Sequence, residues 1–170
     1  MIKVNELSAY ITNLGKYNEG YLVGEWITFP ITNKELEEVF ERIGINEEYE
    51  EYFITDFDNT YDVDFDFGEY TSITRINETI EMVDSLDNYD LDKVKAILEY
   101  EGGDVLDVIE NLDNYNFYHG VTLEEIAEEI IETYFISNDI PEFFRDCFDY
   151  DKYIDDYMYD YHETEYGVIW

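Results

Sequence analysis

Two runs rich in β-branched and aromatic residues open the chain, SAYITNL (8 to 14) and YLVGEWITF (21 to 29). Between them GKYNEG supplies the glycine and asparagine of turn chemistry, so the pattern predicts a β-hairpin or a near relative. The period then lengthens. Leu36, Val39, Phe40 and Ile43 fall on one face of a helix that Thr32 or Asn33 can cap and Gly44 can stop. A third strand is expected over roughly 50–57, making a sheet of three strands with one helix on it.

From 73 to 113 the spacing is helical throughout. Ile73, Ile76, Ile80 and Val83 make one stripe, Leu91, Val94, Ile97 and Leu98 a second, and Val105, Val108, Ile109 and Leu112 a third. SLDNYD and EGG separate them. YNFYH (115 to 119) reads as a strand. After it, Leu123, Ile126, Ala127, Ile130, Ile131, Tyr134 and Phe135 make the clearest amphipathic helix in the sequence, with Thr122 as its cap. Pro141 opens another helix, 149–160 continues as an aromatic and acidic helical stretch, and YGVIW (166 to 170) closes the chain as a strand. The expected fold class is α+β in three small domains: a three-stranded antiparallel sheet with a helix (1–60), a helical middle (61–113) and an α+β C-terminal domain (114–170).

Charge changes this ordinary picture. Among 170 residues, 44 are Asp or Glu and only 9 are Lys or Arg, a formal net charge of -35. A small domain needs a net charge of only about 2 to 8 for solubility, and an excess repels itself and opposes compaction. The acids are not a tail: residues 1–60 carry 13, residues 61–120 carry 16 and residues 121–170 carry 15, never more than two in succession. With 45% hydrophobic and 18% aromatic residues the chain still has a core to bury. Such a surface is repelled by nucleic acid and by anionic lipid, so neither is expected as a partner. The start has no signal-peptide pattern and no apolar run reaches the roughly 18 residues of a membrane span, so a cytoplasmic protein is expected.

Site chemistry finds little to work with. The most suggestive stretch is YDVDFDFGEY (61 to 70), but as an EF-hand starting at Asp62 it places Phe67 where Gly is needed and Ile73 where the bidentate Glu belongs. Starting at Asp56 it fails in the same way, with Tyr61 and Phe67. Gly15 and Gly20 have Walker-loop spacing, yet Tyr21 and Leu22 stand in place of the Lys and Ser/Thr. His119 and His162 fit no zinc motif, and Cys147 is expected to be half-buried among Phe143, Phe144 and Phe148. No metal, cofactor or catalytic residue is assigned.

Charge is then the candidate function. On the helix at 123–135, Glu124, Glu125, Glu128, Glu129 and Glu132 share the polar face over about 12 Å, or one charge per about 3 Å. Duplex DNA carries one per about 1.7 Å of axis, within a factor of two. At the DNA density, 35 charges match about 60 Å of duplex, more than the diameter near 40 Å of a compact chain this long. An elongated string of small domains suits them better. If 61–67 is extended, Asp62, Asp64 and Asp66 share a face about 6.6 Å apart, with Val63, Phe65 and Phe67 anchoring the other. With Asp56, Asp58, Glu69, Asp155 and Asp156 they complete a distributed set of partner-binding candidates.

YITNLGKYNEGYLVGEWITFPI (10 to 31), EEYEEYFITDFD (47 to 58) and EYTSI (69 to 73) closely resemble the ArdA family of antirestriction proteins. PEFFRDCFDYDKYIDDY and YGVIW are similar in pattern. The resemblance implies an elongated, three-domain, homodimeric mimic of bent B-form DNA that occupies the DNA-binding groove of type I restriction-modification enzymes, at their methyltransferase and specificity core. Proteins of this kind are commonly encoded on mobile elements and protect incoming DNA. The family's antirestriction motif and dimer contact fall near the helix at 123–135. Two other readings of the residues stay open: an acidic, chaperone-like binder of basic nucleoid proteins, and a hydrolase using a pair of carboxylates.

Overall fold

A computed structural model describes residues 5–170. The fold is α+β, with two small three-stranded antiparallel sheets, and it gathers into two compact units, the first ending at Ser85 and the second running from Leu86 to Trp170.

In the first unit, β1 (Leu7–Asn13) lies between β2 (Gly24–Phe29) and β3 (Tyr52–Asn59). Alternation places Leu7, Ala9 and Ile11 of β1 and Ile27 and Phe29 of β2 in the core. β1 and β2 do pair antiparallel, but GKYNEG is more than a turn. Leu14–Asn18 winds into a short helix, α1, because the Asn13 side chain accepts from the Lys16 N–H at 2.9 Å and caps it. Asn13 is fully buried, and its amide also donates to the carbonyls of Ile43 and Gly44 at 3.2 and 3.1 Å. One side chain thereby joins the end of β1, the start of α1 and the end of α2 (Asn33–Ile43).

Helix α2 follows its sequence signals closely. Thr32 and Glu35 form a capping box, and Gly44 ends the helix at φ 77°, a left-handed conformation that glycine adopts without strain. Val39 and Ile43 are its buried residues. Helix α3 (Ile73–Ser85) buries Ile73, Ile76, Ile80 and Val83, the predicted stripe. Both helices pack on β2. Asn77 of α3 clasps the segment after β2, accepting from the Ile31 N–H at 2.8 Å and donating to the Ile31 carbonyl at 2.7 Å.

The second unit holds α4 (Asn88–Glu101), α5 (Val105–Glu110), a 3-10 turn at Leu112–Asn114, β4 (Phe117–His119) and α6 (Leu123–Ser137). A 3-10 helix (Glu142–Cys147), α7 (Tyr150–Tyr157), β5 (His162–Thr164) and β6 (Gly167–Ile169) complete it. The segment after Pro141 is thus 3-10 and not α-helical. Strand β5 has no counterpart in the sequence reading, because three residues, HET, give no periodicity. The sheet order is β4-β6-β5, and α4 packs against all three strands. Ile126 and Ala127 of α6, with Met158 and Val168, make a second core cluster closed by Tyr150, Tyr153, Ile154 and Tyr161. Cys147 is exposed, against the expectation of half-burial, since the 3-10 helix turns it outward along with Phe143 and Phe144.

Gly167 is the tightest point of this sheet. Its φ is 142°, and a Cβ there would sit 2.2 Å from the Tyr118 carbonyl oxygen of the neighbouring strand. Backbone cannot yield as a side-chain tip can, so Gly167→Ala is expected to cost about 3 kcal/mol or more. Urea unfolding checks this, and a loss below about 1 kcal/mol would show that the strand pairing adapts.

Candidate functional site

Among the described residues the buried polar side chains are Thr12, Asn13 and Thr79, so none of the described acids is buried. Nor does any group of three or more His, Cys, Asp and Glu among the described residues have the arrangement to hold a metal ion. What the sequence picked out as candidates, the structure lays out as surface patches.

The first patch follows β3. Asp56 and Asp58 are exposed on one face of that strand. The second is the stretch 61–70, where the expected alternation holds: Tyr61, Val63 and Phe65 are buried while Asp62, Asp64 and Asp66 are exposed, with Glu69 beyond them. Its backbone is not the expected strand, however. Asp62 and Asp66 take positive φ, 58° and 49°, and the Asp66 N–H donates to the Asp64 carboxylate at 3.1 Å. Asp tolerates the left-handed region because its short side chain can satisfy local backbone donors, which is how a strand-like pattern becomes an irregular segment. The even ladder of carboxylates about 6.6 Å apart is therefore corrected to an irregular cluster.

Anchoring of that cluster is firm. The Tyr61 hydroxyl donates to Asp84 of α3 at 2.7 Å, and the Asn59 amide donates to the Val63 carbonyl at 2.7 Å. Phe65 and Phe67 stack with centroids 5.2 Å apart. Burial first, and the Asp84 carboxylate second, push the Tyr61 phenol well above its ordinary range, so it stays a hydrogen-bond donor.

The third patch is α6. Glu124, Glu125, Glu128 and Glu129 are exposed, as the amphipathic pattern requires. Glu125 also completes a capping box with Thr122, and Glu132 is half-buried and salt-bridged to Arg145. Glu125, Glu128, Glu129 and Glu132 line one open groove with Tyr150 of α7. Asp155 and Asp156 are exposed on α7, where Lys152 pairs with Asp156. Farther along α6 the outer face changes character, since Tyr134 and Ile136 are exposed there.

Sequence reasoning did not see how the few cations are spent. Lys16, Lys34, Arg42, Lys95, Arg145 and Lys152 each lie against a carboxylate of their own chain. The best formed is bidentate, with Arg42 of α2 donating to both Glu25 oxygens of β2 at 2.7 and 2.9 Å. The guanidinium holds Glu25 below the usual carboxylate range, and bonds from Thr32 do the same for Glu35. Both pairings contribute stability above the unfolded carboxylate pKa of about 4.3 and lose it as pH falls through the lowered folded values.

An α+β fold with exposed acids on both units and internally paired cations defines a class: a strongly acidic, cation-poor folded protein. The chain belongs to the ArdA family, described as antirestriction protein (ArdA), whose family model matches residues 9–170. No curated protein is matched by the sequence. No helix among the described residues is long and apolar enough to cross a membrane.

The excess charge sets a salt response. Raising ionic strength from about 0.01 M to about 1 M shortens the Debye length from about 30 Å to about 3 Å and screens repulsion among the acids. The few exposed ion pairs weaken too, but each is worth little. The melting temperature is expected to rise by about 4 °C or more. Scanning calorimetry measures it, and a flat or falling melting temperature is the contrary result.

Proposed function

We propose that this protein is a DNA mimic that binds the DNA-binding groove of a type I restriction-modification enzyme and excludes DNA from it, protecting incoming mobile DNA. The observation that carries the reading is a net charge of -35 displayed as exposed carboxylates on both units of a folded ArdA-family chain. In this mechanism carboxylates stand where phosphates would, against the Lys and Arg of the partner. Long-range attraction steers the two together, so association is fast and falls steeply with salt. Nothing in the mechanism needs a catalytic group, a metal or a cofactor; the protein acts by occupancy. A homodimer and an elongated string of three small domains belong to the same proposal, supported by the family membership and by the relief that extension gives to self-repulsion.

Competition binding to a type I methyltransferase core tests the reading. The protein is expected to displace a DNA duplex at low salt, and failure to displace it would overturn the proposal. Single substitutions sharpen the test. Asp64→Asn, Glu128→Gln and Asp155→Asn are each expected to weaken binding by only about 2- to 5-fold, the yield of exposed charge pairs, because the binding energy is distributed. Loss of all activity on replacing any one of them would instead point to a catalytic carboxylate.

A further inference from the structure

The outer face of the first sheet is not only acidic. The antiparallel registers set Trp26 opposite Tyr10 and Tyr10 opposite Asp56, and in the next row Thr28 opposite Ser8 and Ser8 opposite Asp58. Opposed residues share a face, and this one lies opposite the buried Leu7, Ala9 and Ile11. Three strands thereby carry two rows, each with a carboxylate at the β3 edge, the first with an aromatic pair beside it. No basic side chain occurs in either row.

The aromatic pair is held in place. Tyr10 meets Trp26 edge to face at 5.5 Å, and its hydroxyl donates to the Gly24 carbonyl at 3.0 Å. A Cβ at Gly24 would stand 2.6 Å from the Tyr10 ring, so glycine is what lets the ring lie across β2. Yet Trp26, braced in this way, remains 47% exposed. A rigid, exposed Trp beside a Tyr is the composition of an interface anchor and costs little entropy to use.

Chemistry selects the occupant. An aromatic face beside a carboxylate suits a planar cation that can stack and hydrogen-bond at once, which is a guanidinium and not an ammonium. Trp26 and Asp56 stand two strand spacings apart, about 10 Å, with Tyr10 at the β1 position between them and its ring on the Trp26 side. We infer that the row Trp26–Tyr10–Asp56, with Asp58 beside it, is a docking surface for an arginine of the partner, whose stem and guanidinium plane lie on the rings while its N–H groups meet the carboxylates. This rests on the reading of the chain as a ligand of a basic groove, and it adds a contact that a phosphate backbone does not offer.

Two arms test it on the full chain. In the first, the indole N–H signal of Trp26, assigned with Trp26→Phe, is followed by NMR during titration with hexa-arginine and with hexa-lysine. The arginine peptide is expected to shift the Trp26 signal and the lysine peptide, at equal charge, to leave it nearly unmoved; equal responses overturn the inference. In the second arm Trp26→Ala is expected to weaken binding to a type I methyltransferase core about tenfold, with the salt slope unchanged. Trp26→Phe restores most of that affinity and serves if the alanine variant does not fold. Wild-type affinity in Trp26→Ala also overturns the inference. If the wild type does not bind the core at all but Trp26 still tells arginine from lysine, the functional reading falls and the arginine surface stands.

Discussion

Self-repulsion is the constraint on which the rest of this structure depends. Thirty-five uncompensated charges oppose any compact state, and burying any of them would add a desolvation cost. None of the described acids is buried, and each unit has a three-stranded sheet of its own. The apolar side of every element has to be efficient, which is why Ile and Val dominate the most deeply buried side chains. Aromatic rings close the margins of the cores.

The acids are also part of what holds the fold together. Asp87, Asp104 and Asp149 cap α4, α5 and α7, and Glu35 and Glu125 complete the capping boxes of α2 and α6. A carboxylate at a helix start satisfies orphan N–H groups and meets the positive end of the helix dipole, so these charges stabilise the fold while remaining at the surface. Tyrosine plays a matching part. Tyr49, Tyr61 and Tyr115 donate their hydroxyls to Glu19, Asp84 and Glu101, which fixes a carboxylate without neutralising it. The scarce cations instead neutralise locally, and the sites they leave uncovered carry the display of charge.

A display of this kind needs acids that are fixed and solvated, and the stretch 61–70 shows how that is done. Its buried Tyr61, Val63 and Phe65 hold three aspartates outward on an irregular backbone. On the first sheet the same task falls to paired strands, with a register shift just after Tyr10, and the face adds an aromatic pair that pure charge mimicry would not require. In the binding mode proposed, carboxylates supply reach through water and rings contact at close range, so the two would act on different steps, encounter and dissociation.

Much of this was legible from residue order. Helices α2, α3, α4 and α6 follow from the 3.6 period, two of them with the caps read from Thr32 and Thr122, and the class of protein follows from the spread of acids and the ArdA-like stretches. These signals are local, set by which side chains can share a face. What residue order did not disclose depended on partners far away in sequence. GKYNEG looks like a turn, and it becomes α1 only because Asn13 is buried against the end of α2. YDVDFDFGEY has the alternation of a strand, yet Asn59 and Asp64 side chains accept from the N–H groups of Tyr61 and Asp66, and positive φ at Asp62 and Asp66 takes it out of the strand conformation. His162–Thr164 is too short to signal β5 and exists because β6 pairs with it. Nor could the sequence place Trp26 in one row with Tyr10 and Asp56, since register across β2, β1 and β3 is decided by pairing and packing. The sequence by itself determined the helices, the apolar faces and the charge; the tertiary structure alone decided which carboxylates are spent inside the fold and which face outward, because a hydrogen-bond partner is chosen by proximity in space.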